Sequence, residues 1–200
     1  MLRQTIALVI SESSRDGALL KGRVAPEGFA IVGHSAGGAT AIRFGSEPGL
    51  VTYIAMAAGI DAGPDAAPFN APAHPSLWLG GSIDGVIPLA NVQAGFDRAV
   101  PPTRLVVIGG AGHQTFTDLC TLGRAGSGLV AAAGESGELT QLASDGCQPD
   151  AIAPKDGWRV INHYVTAQLR DAFGIDDHMG LDAASSRRFE GVGVTYTERR

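Results

Sequence analysis

Short apolar runs alternate with helix-compatible segments along most of this 200-residue chain. Apolar runs of about four to eight residues, bounded by glycine, proline or polar turns, are typical of buried strands. The runs that fit this pattern lie at residues 29–32, 51–58, 76–81 and 103–108. Helical segments are predicted at residues 36–44 and 89–99. Because strands alternate with helices, we expect crossover connections and a mostly parallel sheet with flanking helices, which is the α/β fold class.

The last part of the chain contains a longer helical pattern followed by a polar tail. We expect a helix at residues 155–173 that packs one apolar face on the sheet. The apolar side chains predicted for that face are Trp158, Ile161, Val165 and Leu169. The tail, residues 174–200, is polar, and its segment 191–197 is a candidate edge strand.

The remaining segments are less regular. Residues 2–20 combine a helical apolar pattern with a polar stretch, which predicts a helix followed by a loop. Residues 59–75 are rich in glycine, alanine and proline and predict a loop. Small residues dominate residues 114–153, which we interpret as a variable, flap-like segment. No internal repeat or linker divides the chain, so we expect a single domain over residues 1–200.

Composition and charge narrow the classes of partner. Hydrophobic residues make up 44% of the chain and charged residues 18%, an ordinary balance for a globular protein. The net charge is −5 and no basic run stands out, so nucleic acid is not an expected partner. No apolar stretch is long enough to span a bilayer. The N-terminus lacks the apolar core and cleavage site of a secretory peptide, and the compartment stays open.

The chain contains two cysteines, Cys120 and Cys147. They are too far apart in sequence for a CxxC redox pair, and no cluster of histidine and cysteine indicates zinc. Two buried free thiols and a disulfide that closes the segment between them fit the sequence equally well. A disulfide would indicate an oxidising compartment.

Residues 28–38 carry the most specific motif in the chain. Their sequence, Gly-Phe-Ala-Ile-Val-Gly-His-Ser-Ala-Gly-Gly, contains G-x-S-x-G between a predicted strand and a predicted helix. In that context the motif predicts a sharp, strained turn that holds the Ser35 hydroxyl clear of the sheet. We expect side chains at Gly33 and Gly37 to clash with the neighbouring strand and helix. The amide of Ala36 should point at an oxyanion forming near Ser35.

Three predicted strands are each followed by a residue type used in acyl transfer. Ser35, Asp84 and His113 follow the first, third and fourth of these strands. Functional sites of parallel α/β sheets gather at the carboxyl ends of the strands, so we expect these three side chains to meet. Catalytic triads occur on unrelated folds in different chain orders, and only one of those orders is Ser, Asp, His. We expect Ser35 to be the nucleophile, His113 the base and Asp84 the carboxylate that orients His113.

Other residues compete for these roles. Asp61 also follows a predicted strand and is the alternative acid. His34 lies inside the turn and is expected to pack or form hydrogen bonds locally. We interpret the remaining histidines and one further carboxylate as surface or structural groups, namely His74, His163, His178 and Asp118.

Three segments together resemble the α/β-hydrolase superfamily. They are Gly-His-Ser-Ala-Gly-Gly, Gly-Gly-Ser-Ile-Asp-Gly-Val-Ile-Pro and Gly-Ala-Gly-His-Gln-Thr-Phe. The chain is most similar to dienelactone-hydrolase-like, platelet-activating-factor-acetylhydrolase-like and chlorophyllase-like esterases over residues 22–175. The resemblance implies a Ser35–Asp84–His113 triad, whereas dienelactone hydrolases carry cysteine at the position of Ser35. The segment around Cys120 and Cys147 is similar to a variable region of secreted bacterial members, which favours the disulfide.

The resemblance covers only the C-terminal part of such an enzyme. Family members carry several strands before the serine strand, and a His-Gly-type loop there supplies a second oxyanion amide. Only 27 residues precede Gly28, and they contain no His-Gly segment. We therefore expect an N-terminally truncated hydrolase fold whose serine strand lies near a sheet edge and is exposed to self-association. A misplaced start, a fragment and pairing with another copy stay open.

These patterns predict a serine hydrolase that cleaves carboxylic esters. Apolar residues near the motifs, among them Ile83, Val86 and Ile87, favour an apolar pocket for short or medium acyl chains. The expected partner is a small-molecule ester, and no metal or organic cofactor is implied. The alternative from another class is a truncated, inactive hydrolase fold that acts as a binding or interaction module. Amide or thioester cleavage stays open, because the same triad serves all three reactions.

Overall fold

The computed structural model describes residues 2–24, 28–64, 68–121 and 137–200. Their central feature is a five-stranded sheet in the order β1-β2-β3-β4-β5. The strands are β1 (Phe29–His34), β2 (Leu50–Met56), β3 (Ser76–Gly81), β4 (Thr103–Ile108) and β5 (Val194–Arg199). The first four strands run parallel, and β5 pairs antiparallel with β4. The predicted α/β class is confirmed.

Helices flank this sheet. They are α1 (Leu2–Ser14), α2 (Ala36–Arg43), α3 (Leu89–Arg98), α4 (Gly137–Ser144), α5 (Pro154–Ala172) and α6 (Ala183–Ser186), and a 3-10 turn spans His113–Phe116. The four parallel strands and the helices α2, α3 and α5 lie within about two residues of their predicted bounds. None of the described helices is long and apolar enough to cross a membrane. The part of the flap-like segment at residues 122–136 lies outside the described residues.

Two apolar cores lie on opposite faces of the sheet, because successive side chains of a strand point to opposite sides. On one face, Ile54 of β2 packs in a cluster with Tyr164 of α5. On the other face, Tyr53 of β2 and Trp78 of β3 pack with Val92 of α3. Each of these side chains is fully buried. The molecule is therefore three layers deep, with the sheet between α5 on one side and α2 and α3 on the other.

The predicted apolar face of α5 packs on the core, but most of its fully buried positions are others. Of the four apolar side chains expected there, only Ile161 is buried, while Trp158, Val165 and Leu169 are partly buried at its border. The buried face instead includes Gln168, whose amide nitrogen donates to Thr52 Oγ1 at 2.9 Å. This pairing satisfies a polar side chain inside the core, where an unpaired amide would be costly.

The segment interpreted as a polar tail completes the fold. The predicted edge strand is present as β5, which begins three residues later and ends two residues later than expected. Arg104 of β4, 1% exposed, donates from Nε to Glu198 of β5 at 3.0 Å and from Nη1 to Asp171 of α5 at 2.9 Å. A buried guanidinium that pairs with carboxylates of both elements ties the C-terminal segment to the sheet.

The serine strand lies at a sheet edge, as the sequence predicts. Among the described residues, β1 pairs with β2 alone. On the other side of β1, residues of α1 and β1 line an open apolar groove of about 610 Å³. Val32 of β1 lies in this groove and is 42% exposed. Unpaired strand edges are sites where another strand can add. Self-association at this edge stays a prediction.

Candidate active site

Sheet order brings the predicted site residues to one edge of the sheet. Ser35 follows β1 directly, Asp84 follows β3, and His113 follows β4 at the start of the 3-10 turn. Because these strands are parallel, their carboxyl ends lie at the same edge. Three segments that are distant in sequence therefore converge at one place.

The turn at Ser35 is strained in the way the motif predicts. Ser35 has φ 54° and ψ −120°, a left-handed conformation that side-chain-bearing residues rarely adopt. Its amide donates to Met56 O at 2.9 Å, which fixes the turn against the end of β2. A Cβ at Gly33 would collide with the backbone of Gly37, so Gly33 permits the chain to double back. Such strain is typical of functional turns.

The prediction that a side chain at Gly37 would clash is wrong. A Cβ at Gly37 would meet no atom within 4 Å, because this position faces away from the sheet. The tight contact is one residue later, where a Cβ on Gly38 would lie 2.5 Å from the Cβ of Ala58. The first turn of α2 therefore approaches the sheet through Gly38.

A chain of two hydrogen bonds joins the three predicted residues. His113 Nε2 lies 2.9 Å from Ser35 Oγ, and His113 Nδ1 lies 3.0 Å from Asp84 Oδ2. A carboxylate only accepts, so the proton sits on Nδ1 and leaves Nε2 free to accept from the serine hydroxyl. His113 is fully buried, and Ser35 is half-buried and reachable from solvent. The arrangement can accept a proton from Ser35 at a water-accessible point.

Backbone amides hold the Asp84 carboxylate in place. Its Oδ1 accepts from the amides of Val86 at 2.9 Å and Ile87 at 2.7 Å, while Oδ2 is left for His113. Asp84 is 8% exposed, so these bonds are little weakened by water. The side chain is a fixed acceptor for the Nδ1 proton.

A backbone amide next to the serine has no hydrogen-bond acceptor among the described residues. Ala36 is the first residue of α2, and the first amides of a helix have no acceptor within the helix. Ala36 is an exposed residue, so a bound molecule can approach this end of the helix. The positive end of the helix dipole adds to the attraction for a developing negative charge.

His34 packs beside His113, as the sequence predicts. Its ring centroid lies 4.7 Å from that of His113 and 6.0 Å from that of Phe116. Its Nε2 lies 3.0 Å from the carbonyl oxygen of His113 and must donate, since a carbonyl only accepts. Burial, and after it the neighbouring His113 imidazole, lower the pKa of His34 from its ordinary value.

The competing residues lie elsewhere. Asp61 is exposed and accepts from the amide of Gly63, so Asp84 and not Asp61 contacts His113. His163 lies 3.0 Å from the carbonyl of Gly180, within the helical layer. His74 is half-buried in its loop, and Asp118 is exposed.

Sequence reasoning missed Asp145. This residue lies in the segment interpreted as flap-like, and no motif marks it. Its carboxylate nonetheless is 7% exposed and contacts two backbone amides of the site, those of Gly85 and His113. The contacts depend on how distant loops fold together, which no local pattern reveals.

The two cysteines form a disulfide, Cys120–Cys147, and the chain contains no free thiol. This decides between the two alternatives that the sequence left open. The bond joins the stretch after His113 to the stretch after Asp145. It therefore connects two segments that border the site.

One group of ligand-type side chains comes together elsewhere in the described part of the chain. The ligand atoms of Asp171, Asp177 and His178 lie within 4.8 Å of one another. However, Arg104 Nη2 lies 3.1 Å from His178 Nδ1, and Arg104 Nη1 lies 2.9 Å from Asp171. A buried guanidinium already balances this cluster, which stands near the opposite end of β4 from His113.

Comparisons with known proteins name no family. No protein-family model matches the chain, and no curated protein matches it. The function is therefore inferred from the geometry of the site together with the resemblance of its motifs.

Proposed function

We propose that this protein is a serine hydrolase that cleaves carboxylic esters through an acyl-enzyme intermediate. The observation that carries the proposal is the continuous chain of contacts from Ser35 through His113 to Asp84. The strained turn at Ser35 and the free amide of Ala36 support it. We further propose, from the three motifs, that the chain is a member of the α/β-hydrolase superfamily.

The first half-reaction follows from the geometry. Ser35 Oγ attacks the ester carbonyl while His113 Nε2 takes its proton. Asp84 stabilises the imidazolium that forms and keeps the ring oriented. The amide of Ala36 donates to the carbonyl oxygen as it becomes an oxyanion. His113 then returns the proton to the alcohol, which leaves as the C–O bond breaks and the acyl group stays on Ser35.

Water completes the cycle. It enters through the solvent-accessible side of Ser35, and His113 takes its proton as it attacks the acyl carbonyl. The second tetrahedral intermediate collapses, the proton returns to Ser35 Oγ, and a carboxylic acid leaves. The described residues supply the nucleophile, the base, the acid and one oxyanion donor for these steps.

Apolar side chains beside the site favour an apolar acyl group. Ile83, next to Asp84, is 47% exposed, and Val86 and Ile87 are half-buried. Exposed apolar groups that border a polar site offer area to an apolar part of a ligand. We therefore propose short or medium acyl chains as substrates.

Initial rates on matched esters, thioesters and anilides of acetate, butyrate and octanoate test this function. We expect ester turnover by the wild type and a loss of at least about 10³-fold in Ser35→Ala. Thr40→Ala, on the exposed side of α2, is the matched control and should retain the wild-type rate. Ester turnover that survives Ser35→Ala would remove the proposal, and a preference for thioesters or anilides would reassign the substrate class.

The apolar groove beside β1 favours a second candidate function. An inactive hydrolase fold that binds a partner at this edge would use the groove and not Ser35. The ester assay separates the two, because an interaction module shows no turnover that depends on Ser35.

A further inference from the structure

Asp145 joins the two loops that carry the acid and the base. Its Oδ1 accepts from the amide of His113 at 2.5 Å, and its Oδ2 accepts from the amide of Gly85 at 3.0 Å. Gly85 directly follows Asp84 in the chain. One carboxylate, with one oxygen on each loop, thus bridges the backbones of the two residues that must stay in contact for His113 to act.

The chemistry of the bridge requires a carboxylate. Both partners are N–H donors, and an ionised carboxylate offers acceptors on both oxygens. An amide of the same shape has only one acceptor oxygen, and its NH₂ group would face one of the two donors. Hydrogen bonds to an ionised acceptor are roughly twice as strong as neutral ones, and Asp145 is 7% exposed. The bridge is therefore both specific and stiff.

Two glycines make room for this carboxylate. A Cβ on Gly85 would lie 2.7 Å from Asp145 Oδ2, and a Cβ on Gly112 would lie 2.5 Å from Asp145 Oδ1. Real Cβ atoms do not approach oxygen this closely. Gly112, directly before His113, and Gly85, directly after Asp84, therefore leave the space that the carboxylate occupies.

The segment that carries Asp145 is anchored on the base side. The backbone oxygen of Asp145 accepts from the amide of Gln114 at 2.7 Å, and Gln114 Nε2 donates to Leu142 O at 2.6 Å. Two residues after Asp145, Cys147 is bonded to Cys120, which is fully buried. The disulfide and these hydrogen bonds hold the segment of Asp145 against the segment of His113. They therefore fix the carboxylate between the amides of His113 and Gly85.

We propose that Asp145 is a positioning residue that sets the separation of Asp84 and His113, held in place by the Cys120–Cys147 disulfide. This inference rests on the proposed function. Asp145 does not touch Ser35 or the reacting atoms. It acts through the backbone of the base and of the residue beside the acid, where a misplacement of about 1 Å can cost on the order of 100-fold in rate.

Asp145→Asn tests the inference, with Asp150→Asn as the matched control. Asp150 is an exposed aspartate on the same segment. Active sites are first counted in one sample by complete labelling with a fluorophosphonate. Then kcat and KM are measured on unlabelled enzyme with the best ester, and kcat is expressed per counted site. We expect kcat to fall by about 10- to 100-fold in Asp145→Asn with KM changed less than about 3-fold, and no change in Asp150→Asn. A residue that only stabilises the fold would lower the number of labelled sites and leave kcat per site unchanged.

Hydrogen exchange gives a readout that needs no activity. In the wild type the amides of Gly85 and His113 should exchange as slowly as amides of the central strands, and faster in Asp145→Asn. Unchanged kcat per site in folded Asp145→Asn, or exchange of both wild-type amides at the rate of exposed loops, overturns the inference. If Asp145→Asn does not fold, the wild-type exchange decides. If the wild type neither labels nor turns over ester, the proposed function fails, while exchange still tests the bridge.

Discussion

His113 Nε2 lies 2.9 Å from Ser35 Oγ, although the two residues are 78 positions apart in the chain. The contact exists because parallel strands place their carboxyl ends at one edge of the sheet. It joins the turn after the first strand to the turn after the fourth. The proposed activation of Ser35 rests on this contact, since a serine hydroxyl becomes a good nucleophile when a neighbouring base takes its proton.

The identity of the acid can be tested with a pair of aspartates. In Asp84→Asn an amide faces His113 Nδ1 and favours the wrong tautomer, so we expect kcat to fall by about 10⁴-fold. Asp61→Asn is the matched control, because Asp61 follows a neighbouring strand but only accepts from Gly63. Ester turnover at saturating substrate measures both variants. Equal losses in the two, or a larger loss in Asp61→Asn, would count against Asp84 as the acid.

Two glycines of the motif should respond differently to alanine. Gly33→Ala drives a Cβ into the backbone of Gly37, so we expect a loss of more than about 2 kcal/mol in unfolding free energy, or failure to fold. Gly37→Ala meets open space within helix α2 and should stabilise by up to about 1 kcal/mol. Urea unfolding measures both. Comparable destabilisation by the two changes would show that the turn is built differently.

His34 should make stability depend on pH. Its pKa is lowered from the ordinary value of 6.5 by burial and then by His113, so the folded protein binds fewer protons than the unfolded chain just below pH 6.5. Its contribution is therefore fully present above pH 6.5 and is lost as pH falls toward the lowered pKa. We expect unfolding free energy to fall less between pH 7 and 5 in His34→Phe than in the wild type. Equal slopes in His34→Phe and the wild type would refute the prediction.

The disulfide should contribute substantially to stability. Its cysteines are 27 positions apart, and the chain-entropy model for a loop of that length gives about 3–4 kcal/mol at 25 °C. We expect the double variant Cys120→Ser/Cys147→Ser to lose that amount in urea unfolding. Reductant should destabilise the wild type and not the double variant, which has no thiol left. A loss below about 1 kcal/mol would mean that the other contacts of Asp145 and Gln114 hold the segment alone.

The sheet and the meeting of the three predicted residues could be predicted from local patterns. The strands ending before Ser35, Asp84 and His113 are short apolar runs followed by glycine-containing turns, and such runs leave a clear signal. Parallel pairing then requires their ends to converge. The edge position of β1 was likewise expected. The roles of the three residues in catalysis stay a prediction.

What local patterns could not show depends on polar pairing between distant segments. Gln168 on the buried face of α5 bonds to Thr52, and apolar periodicity carries no information on that pair. In the sequence nothing distinguishes Asp145 from the other aspartates, and only the folded structure places it against the amides of Gly85 and His113. The tight glycine of α2 is Gly38 and not Gly37, because the direction of each Cβ depends on how the helix leaves the turn.

The central claim is that Ser35 is an activated nucleophile, and intact mass after exposure to a fluorophosphonate tests it most directly. Wild type, Ser35→Ala and His113→Ala are each shown to be folded and then incubated with the reagent. We expect one adduct on the wild type, none on Ser35→Ala, and labelling of His113→Ala slowed by at least about 10³-fold. A folded wild type that takes no adduct, or a Ser35→Ala variant that labels at the wild-type rate, would contradict the account.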